Sequence, residues 1–251
     1  MTQRQTLHHE LDALLQPERF KDYGPNGLQV EGCATVRKIA SGVTASLAFI
    51  EAAIAANADT LLVHHGLFWR GQSGCITGWM RQRLALLLQH NINLFAYHLP
   101  LDAHPDLGNN ATLGKVLGLQ TTGRFGDNQL GFMGEPIGKA FTDTASLSQH
   151  IAQALGRTVT CVVGHDRPIQ RLAWCSGGAQ GYFESAIAAG VDAFITGEIS
   201  EPQAHYAREC GVSFLACGHH ATERYGAQAV GNHLAQRLGL EHEFIDIDNP
   251  A

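Results

Sequence analysis

The chain of 251 residues holds 23 acidic and 17 basic residues, for a formal net charge of -6, and has no long basic tract, which disfavours broad binding to nucleic-acid backbones. Hydrophobic residues make up 45%, an ordinary globular share, whereas charged residues at 16% fall below the roughly 25% norm, so much of the surface is expected to be covered by something other than solvent, such as a subunit interface. With no signal-like N-terminus and no run of about 18 apolar residues, a soluble cytoplasmic protein without a membrane partner is expected, and six cysteines without CxxC spacing read as reduced, mostly buried thiols.

Residues 4 to 16 fit an amphipathic helix carrying Leu7, Leu11, Leu14 and Leu15, ended by Pro17. The stretch Asp22 to Gly32, DYGPNGLQVEG, combines a Pro-Asn-Gly turn with a short strand at Leu28 to Val30; it is either a tight turn or a loop facing a site. A strand over 37 to 43, a helix through Leu47, Ile50, Ala53 and Ile54, and a strand over Leu61 to Val63 make a βαβ unit with parallel strands. That last strand delivers His64 and His65 to a loop opened by Gly66, where open α/β sheets place their chemistry.

A glycine-rich aromatic loop follows, then a helix over Arg81 to Gln89 and a strand from Asn91 through Phe95. Pro100 and Pro105 keep the next segment from forming one helix, so His98 and Asp102 are expected on a loop or short turn ahead of a helix over Asn110 to Leu117. The middle reads as a strand over Gln129 to Met133, a helix over Ser146 to Leu155 capped by Thr142 or Asp143, and a strand over Thr158 to Val163. His150 reads as a helix-surface residue and His165 as part of a turn.

Beyond residue 170 the first half returns. FIEAAIAANADTLLVHHG from Phe49 aligns without gaps on YFESAIAAGVDAFITGEI from Tyr182 at an offset of 133, pairing Glu51 with Glu184 and Asp59 with Asp192. His98-x-x-x-Asp102 is echoed by His219-x-x-x-Glu223, while Gly197-Glu198 replaces the histidine doublet. Two similar α/β halves, residues 1–125 and 126–251, are therefore expected, each with a mixed sheet and flanking helices and with a site in the cleft between them.

Such a pairing would bring His64, His65, Asp102, His219 and Glu223 together. Imidazole and carboxylate ligands suit Zn, Fe or Mn, and five of them exceed the needs of one tetrahedral ion, whereas two ions bridged by a carboxylate use them economically and can activate water. Against this, each histidine could be a hydrogen-bonded core residue, Asp102 a helix cap, and His219 with Glu223 a local i, i+4 pair. His98, Glu198, His205 and His220 rank lower; one of them would orient a ligand or act as acid or base. Arg70, Arg81 and Arg83 could meet an anionic substrate or form a solvated face.

LLVHHGLFW, AYHLPLDAHPDLGNN, GHHATERYG and DYGPNGLQVEG together resemble the signature segments of the NIF-three-like dinuclear metal-binding family, also labelled GTP cyclohydrolase I type 2 homologues. The likeness covers essentially the whole chain. It implies two divalent metal ions per subunit held by His64, His65, Asp102, His219 and Glu223, with Glu223 bridging, and His98 near the site. It further implies a ring-shaped homohexamer with metal sites facing an internal cavity, and a link to the handling of damaged nucleotides. Some relatives carry a domain inserted between the halves, for which 251 residues leave no room.

The cyclohydrolase label implies water attack on a purine ring, yet the chain has no Walker-type phosphate loop and no separate basic patch for a triphosphate. The expected function is metal-dependent hydrolysis of a nucleotide or related small molecule, with His98 or Glu198 as proton shuttle. The rivals are a non-catalytic metal-binding adaptor and a metal-dependent peptidase or amidase, which the same ligands permit.

Overall fold

The computed structural model describes residues 1–251. In chain order its elements are β1 (Thr2–Gln3), α1 (Arg4–Leu15), β2 (Gly27–Val30), β3 (Thr35–Val36), β4 (Lys38–Thr44), α2 (Leu47–Ala55), β5 (Thr60–His65), α3 (Gly78–Gln89), β6 (Asn93–Ala96), α4 (Leu99–Ala103) and α5 (Asn109–Val116). There follow β7 (Leu119–Phe125), β8 (Gly131–Pro136), α6 (Thr144–Leu155), β9 (Thr160–Val162), β10 (Leu172–Trp174), α7 (Phe183–Ala188), β11 (Ala193–Thr196), α8 (Glu201–Cys210), β12 (Ser213–Ala216), α9 (His219–Leu238) and β13 (Glu241–Phe244).

Contacts divide the chain into two compact units, Met1–Gly108 with Gly226–Asp248, and Asn109–Tyr225 with Asn249–Ala251. The expected halves follow the sequence repeat, whereas these units interleave along the chain: α9 starts in the second and ends in the first.

In the first unit a five-stranded sheet runs β13-β4-β5-β6-β2, parallel except for the antiparallel edge strand β2. Side chains alternate across it. Ala40, Leu61, Val63, Leu94 and Ala96 pack with Phe49 and Ile50 of α2 and Leu84 and Leu87 of α3. Ile39, Leu62 and Phe95 meet Leu7, Leu11 and Leu15 of α1 and Val230 and Leu234 of α9. A parallel sheet covered on both faces needs unbroken apolar strands, which is why Leu61, Leu62 and Val63 show no polar alternation. Each leucine so buried contributes about 1.5–3 kcal/mol.

The second unit repeats the plan in a six-stranded sheet, β7-β8-β10-β11-β12-β9, with a parallel core β10-β11-β12 and β9 antiparallel at one edge as β2 is in the first. Leu172, Trp174, Ile195 and Leu215 face Leu113 of α5 and Leu147, Ile151 and Leu155 of α6. On the other side Phe183 of α7 lies 5.8 Å from Phe194 and 4.8 Å from Phe214, ring centre to ring centre. Each unit is thus mixed α/β with flanking helices, as the repeat led one to expect. The Asp143 side chain caps α6 in a capping box with Ser146.

Several expectations need correction. Of the expected loop or short turn, Asp102 takes the ordered form, the five-residue helix α4: Pro100 falls in its first turn, where its missing N–H costs no intrahelical bond. The strand expected over Gln129 to Met133 begins at Gly131, because Asp127–Gln129 form a 3-10 turn joining β8 to the unanticipated edge strand β7. His150 binds the Leu117 carbonyl at 2.9 Å through Nε2 instead of standing in solvent. Of the six cysteines only Cys175 and Cys217 are buried, and Cys75 and Cys210 are exposed. No helix is long and apolar enough to cross a membrane.

Candidate metal centre

In the first unit, β5 and β6 deliver their histidines at the carboxyl ends of parallel strands. His64 is fully buried, with Nδ1 3.1 Å from the Tyr97 carbonyl and Nε2 3.6 Å from Asp102 Oδ1. His65 stands opposite Thr44 in the β4–β5 register, which sets its Nδ1 3.1 Å from Thr44 Oγ1. Extended-chain alternation sends neighbouring side chains apart, yet at this strand end the two imidazole centres lie 4.5 Å from each other. His98 joins them, 4.9 Å from His64, and the ligand atoms of His64, His65 and His98 lie within 4.8 Å of one another.

The loop after α1 holds His98. Asp22 Oδ1 accepts from His98 Nδ1 at 2.7 Å, while the same carboxylate accepts from the Leu99 and Tyr23 amides at 2.9 and 2.6 Å and from Asn26 Nδ2 at 2.9 Å. Burial alone would raise the Asp22 pKa, but the hydrogen bonds of His98 and Asn26, with the charge of His98, outweigh it and bring the pKa from 3.8 to about 2. Asn26 Oδ1 also accepts from the His98 amide at 2.7 Å. Gln29 ties the Pro25 carbonyl to the Leu67 amide, both at 2.8 Å, so one loop positions both histidine-bearing turns. Arg70 braces it, donating to the Asp22 carbonyl at 2.6 Å, and Arg83 lies over Trp79.

In the second unit, His219 opens α9 and Glu223 follows one turn later, which places Glu223 Oε2 3.2 Å from His219 Nε2. Glu198, two residues beyond β11, accepts from His219 Nδ1 at 2.6 Å. Burial disfavours the protonated ring, but the hydrogen bond and charge of Glu223, then those of Glu198, raise the His219 pKa to about 9. The Gly177 amide donates to Thr222 Oγ1 at 2.9 Å, pinning the loop after β10 on the first turn of α9. A Cβ on Gly197 would strike the backbone of Gly177 and His219, so the position that holds His64 in the first half is closed to a side chain in the second.

All four histidines follow one rule. Nδ1 of His64, His65, His98 and His219 lies against a protein oxygen, from Tyr97, Thr44, Asp22 and Glu198 in turn, so Nε2 is the nitrogen a cation would take. Imidazoles with carboxylates at such spacings suit a borderline divalent ion such as Zn, Fe or Mn. Of the sequence candidates, His64, His65, His98 and Asp102 gather in the first unit, and Glu198, His219 and Glu223 in the second. His205 pairs only with exposed Glu201, and the His220 amide donates to the Ala251 carbonyl. Asp22, Thr44 and Gly177 escaped sequence reasoning; the single available signal was Asp22 opening the DYGPNGLQVEG segment.

A family model described as Duf34/NIF3 (NGG1p interacting factor 3) matches residues 2–250. A Pseudomonas aeruginosa protein named GTP cyclohydrolase 1 type 2 homolog is 51% identical over 252 residues, covering 98% of each chain. One of the same name from Allochromatium vinosum is 51% identical, over 100% of this chain and 98% of that one. Among solved structures, the protein ybgI, described as of unknown function, shares 45% identity over 100% of both chains with a TM-score of 0.95. The Thermus thermophilus protein TTHA1606 shares 34%, also over 100% of both, with a TM-score of 0.89.

Proposed function

Because the chain belongs to the Duf34/NIF3 family, we propose that it is a dinuclear divalent-metal protein that hydrolyses a nucleotide, damaged nucleotides included, or a related small molecule. The observation that carries the reading is the pair of imidazole and carboxylate sets, His64, His65 and Asp102 in one unit and His219 and Glu223 in the other, each ring oriented through Nδ1. Neither set alone supplies the ligands of two ions, and the two together do, with Glu223 as the proposed bridge. Bound divalent ions lower the pKa of water and neutralise charge developing on a substrate oxygen.

The chain's own residues have separate tasks in this reading. Glu198 and Asp22 keep protons on His219 Nδ1 and His98 Nδ1 and so fix ring orientation. Glu198, part exposed, is also the proposed carrier of a proton to solvent. We assign the protein to the cytoplasm and to a toroidal homohexamer; Ile76, Trp79 and Leu88, at and around α3, are large apolar side chains more than half exposed, which such an assembly could cover.

Metal analysis of the reconstituted chain should find two ions per subunit, falling in Asp102→Ala. A panel of nucleotides and peptides, assayed with Mn-, Zn- and Fe-loaded protein, should show hydrolysis that Asp102→Ala abolishes. Fewer than one ion per chain sinks the metal reading. Two ions, no turnover and thermal collapse on chelation would instead make the protein a structural metal carrier.

A further inference from the structure

We propose that Asn232, His242 and Ser41 form a pH-operated clasp in the first unit, which holds the C-terminal edge strand β13 on β4 near neutral pH and releases it in acid. His242 Nε2 lies 2.7 Å from Ser41 Oγ, and its Nδ1 lies 2.8 Å from Asn232 Oδ1. One imidazole thus ties together β13, β4 and the second half of α9. Nothing in the dinuclear reading uses these residues, so either can fail without the other.

Hydroxyl, imidazole and amide in this order match a serine nucleophile with its base and orienting group. Ser41, however, is fully buried on β4, between β13 and β5, where no substrate reaches it. The geometry instead specifies one protonation state. Asn232 Oδ1 can only accept, which puts the ring proton on Nδ1 and leaves Nε2 as the acceptor for the Ser41 hydroxyl. A second proton, taken up at Nε2, sets two donors face to face. Ser41 must then turn its O–H into the apolar layer of Ile39, Leu62 and Val230, where it finds no acceptor, and a buried donor left unsatisfied is costly.

The surroundings reinforce the neutral ring. Gly231 makes room for it, since a Cβ there would overlap His242 Nε2. Burial lowers the His242 pKa from 6.5, and the charge of Glu243 opposes that shift without cancelling it. His242 is in register with Ile39, so alternation turns Glu241, Glu243 and Lys38 to the other face of the sheet, where Lys38 Nζ pairs with Glu243 at 2.6 Å. On α9 the positions one turn from Asn232 are Gln228, Ala229, Ala235 and Gln236, all uncharged. Arg237 is taken by Glu10 of α1 at 2.8 Å, and His233 follows Asn232 on a different face of the helix. The attachment of β13 is therefore complete above pH 6.5 and weakens as pH falls below it, leaving the β4 ladder, with Glu241 and Ile245 amides each 2.9 Å from a carbonyl, to hold the strand.

Amide hydrogen exchange of the full chain tests the clasp, read as protection of β13 relative to β6 of the same sheet at pH 7.5 and pH 5, either side of the ordinary 6.5. Chelator present throughout keeps metal content equal at the two values. The parent ratio should fall about fivefold or more from pH 7.5 to pH 5, the least that one stranded buried hydroxyl should cost. His242→Gln, which cannot titrate, should show one ratio at both. An unchanged parent ratio, or an equal fall in His242→Gln, overturns the proposal. Should that variant fail to fold, proton NMR of the unaltered chain decides: the His242 ring must titrate below 6.5 and share its midpoint with the β13 amide shifts. A ring midpoint at or above 6.5, or β13 shifts that follow a different midpoint, overturns it equally.

Discussion

Asp192 holds the amides of Gln170 and Arg171 at 3.0 and 2.9 Å, and Asp59, 133 positions earlier, holds those of Arg37 and Lys38 at 2.9 and 3.4 Å. The two carboxylates do the same work at the same point of the repeat, fastening the entry to β10 or β4 onto the start of β11 or β5. Their backbones repeat the match: the Asp192 amide donates to the Arg171 carbonyl at 2.8 Å and that of Asp59 to Lys38 at 3.2 Å. Removing either carboxylate strands backbone donors, so Asp192→Ala and Asp59→Ala should each cost ~1–3 kcal/mol, seen as a lower thermal midpoint. For Asp192, burial raises the pKa but the Arg171 and Gln170 amides and Arg167 outweigh it, leaving it below 3.8. Its contribution is therefore present above that value and lost at lower pH, so the Asp192→Ala deficit should shrink on acidification.

The paired aspartates show what sequence can carry. Asp59 and Asp192 align by eye, and the apolar runs around them name the parallel core, because burial on both faces forces the same composition on both copies. Ligands at strand ends follow from that topology. Asp22 does not, since it meets His98 across 76 positions and only tertiary structure supplies the contact. The α4 helix was hidden because Pro100 reads as a breaker unless it is known to sit in a first turn. Strand β7 was hidden because its edge position leaves Gln120, Thr121 and Thr122 exposed and without an apolar pattern.

Gly177 and Gly178 make a matched pair for testing the second ligand set. Gly177 has φ +68°, and a Cβ there would overlap the Glu223 carboxylate and crowd His219. At Gly178 the nearest atoms to a Cβ are 3.5–3.6 Å away, an ordinary contact. Gly177→Ala should cost ~1 kcal/mol or more in stability through the left-handed backbone alone and lower metal affinity besides, whereas Gly178→Ala should leave both near parent values. Equal affinities in isothermal titration of the two variants would remove Gly177 from the site's construction.

Acid behaviour at Asp22 follows from its depressed pKa. The carboxylate titrates near 2 in the folded chain against 3.8 unperturbed, so the stability it contributes is complete above about 3.8 and is lost as pH falls through about 2. Asp22→Asn should lie below the parent in stability at pH 5, and the gap should close toward pH 2. Urea midpoints across that range test it; a gap that widens on acidification would assign the effect to packing instead.

His219 reverses the sign. In the metal-free chain its pKa of about 9 exceeds the ordinary 6.5, so the stability gained from Glu223 and Glu198 is full below 6.5 and is lost as pH rises through about 9. At pH 7.5 the ring therefore carries its proton, and a divalent ion taking Nε2 must displace it. Metal uptake should release about one proton from His219, and apparent affinity should rise up to ~tenfold per pH unit until about pH 9. Titration calorimetry in buffers of different ionisation heat reads the proton count directly. His219→Ala should lower that count by about one while metal still binds the first unit's histidines; an unchanged count would mean that the ion leaves the His219–Glu223 pair intact and that α9 contributes no ligand through this ring.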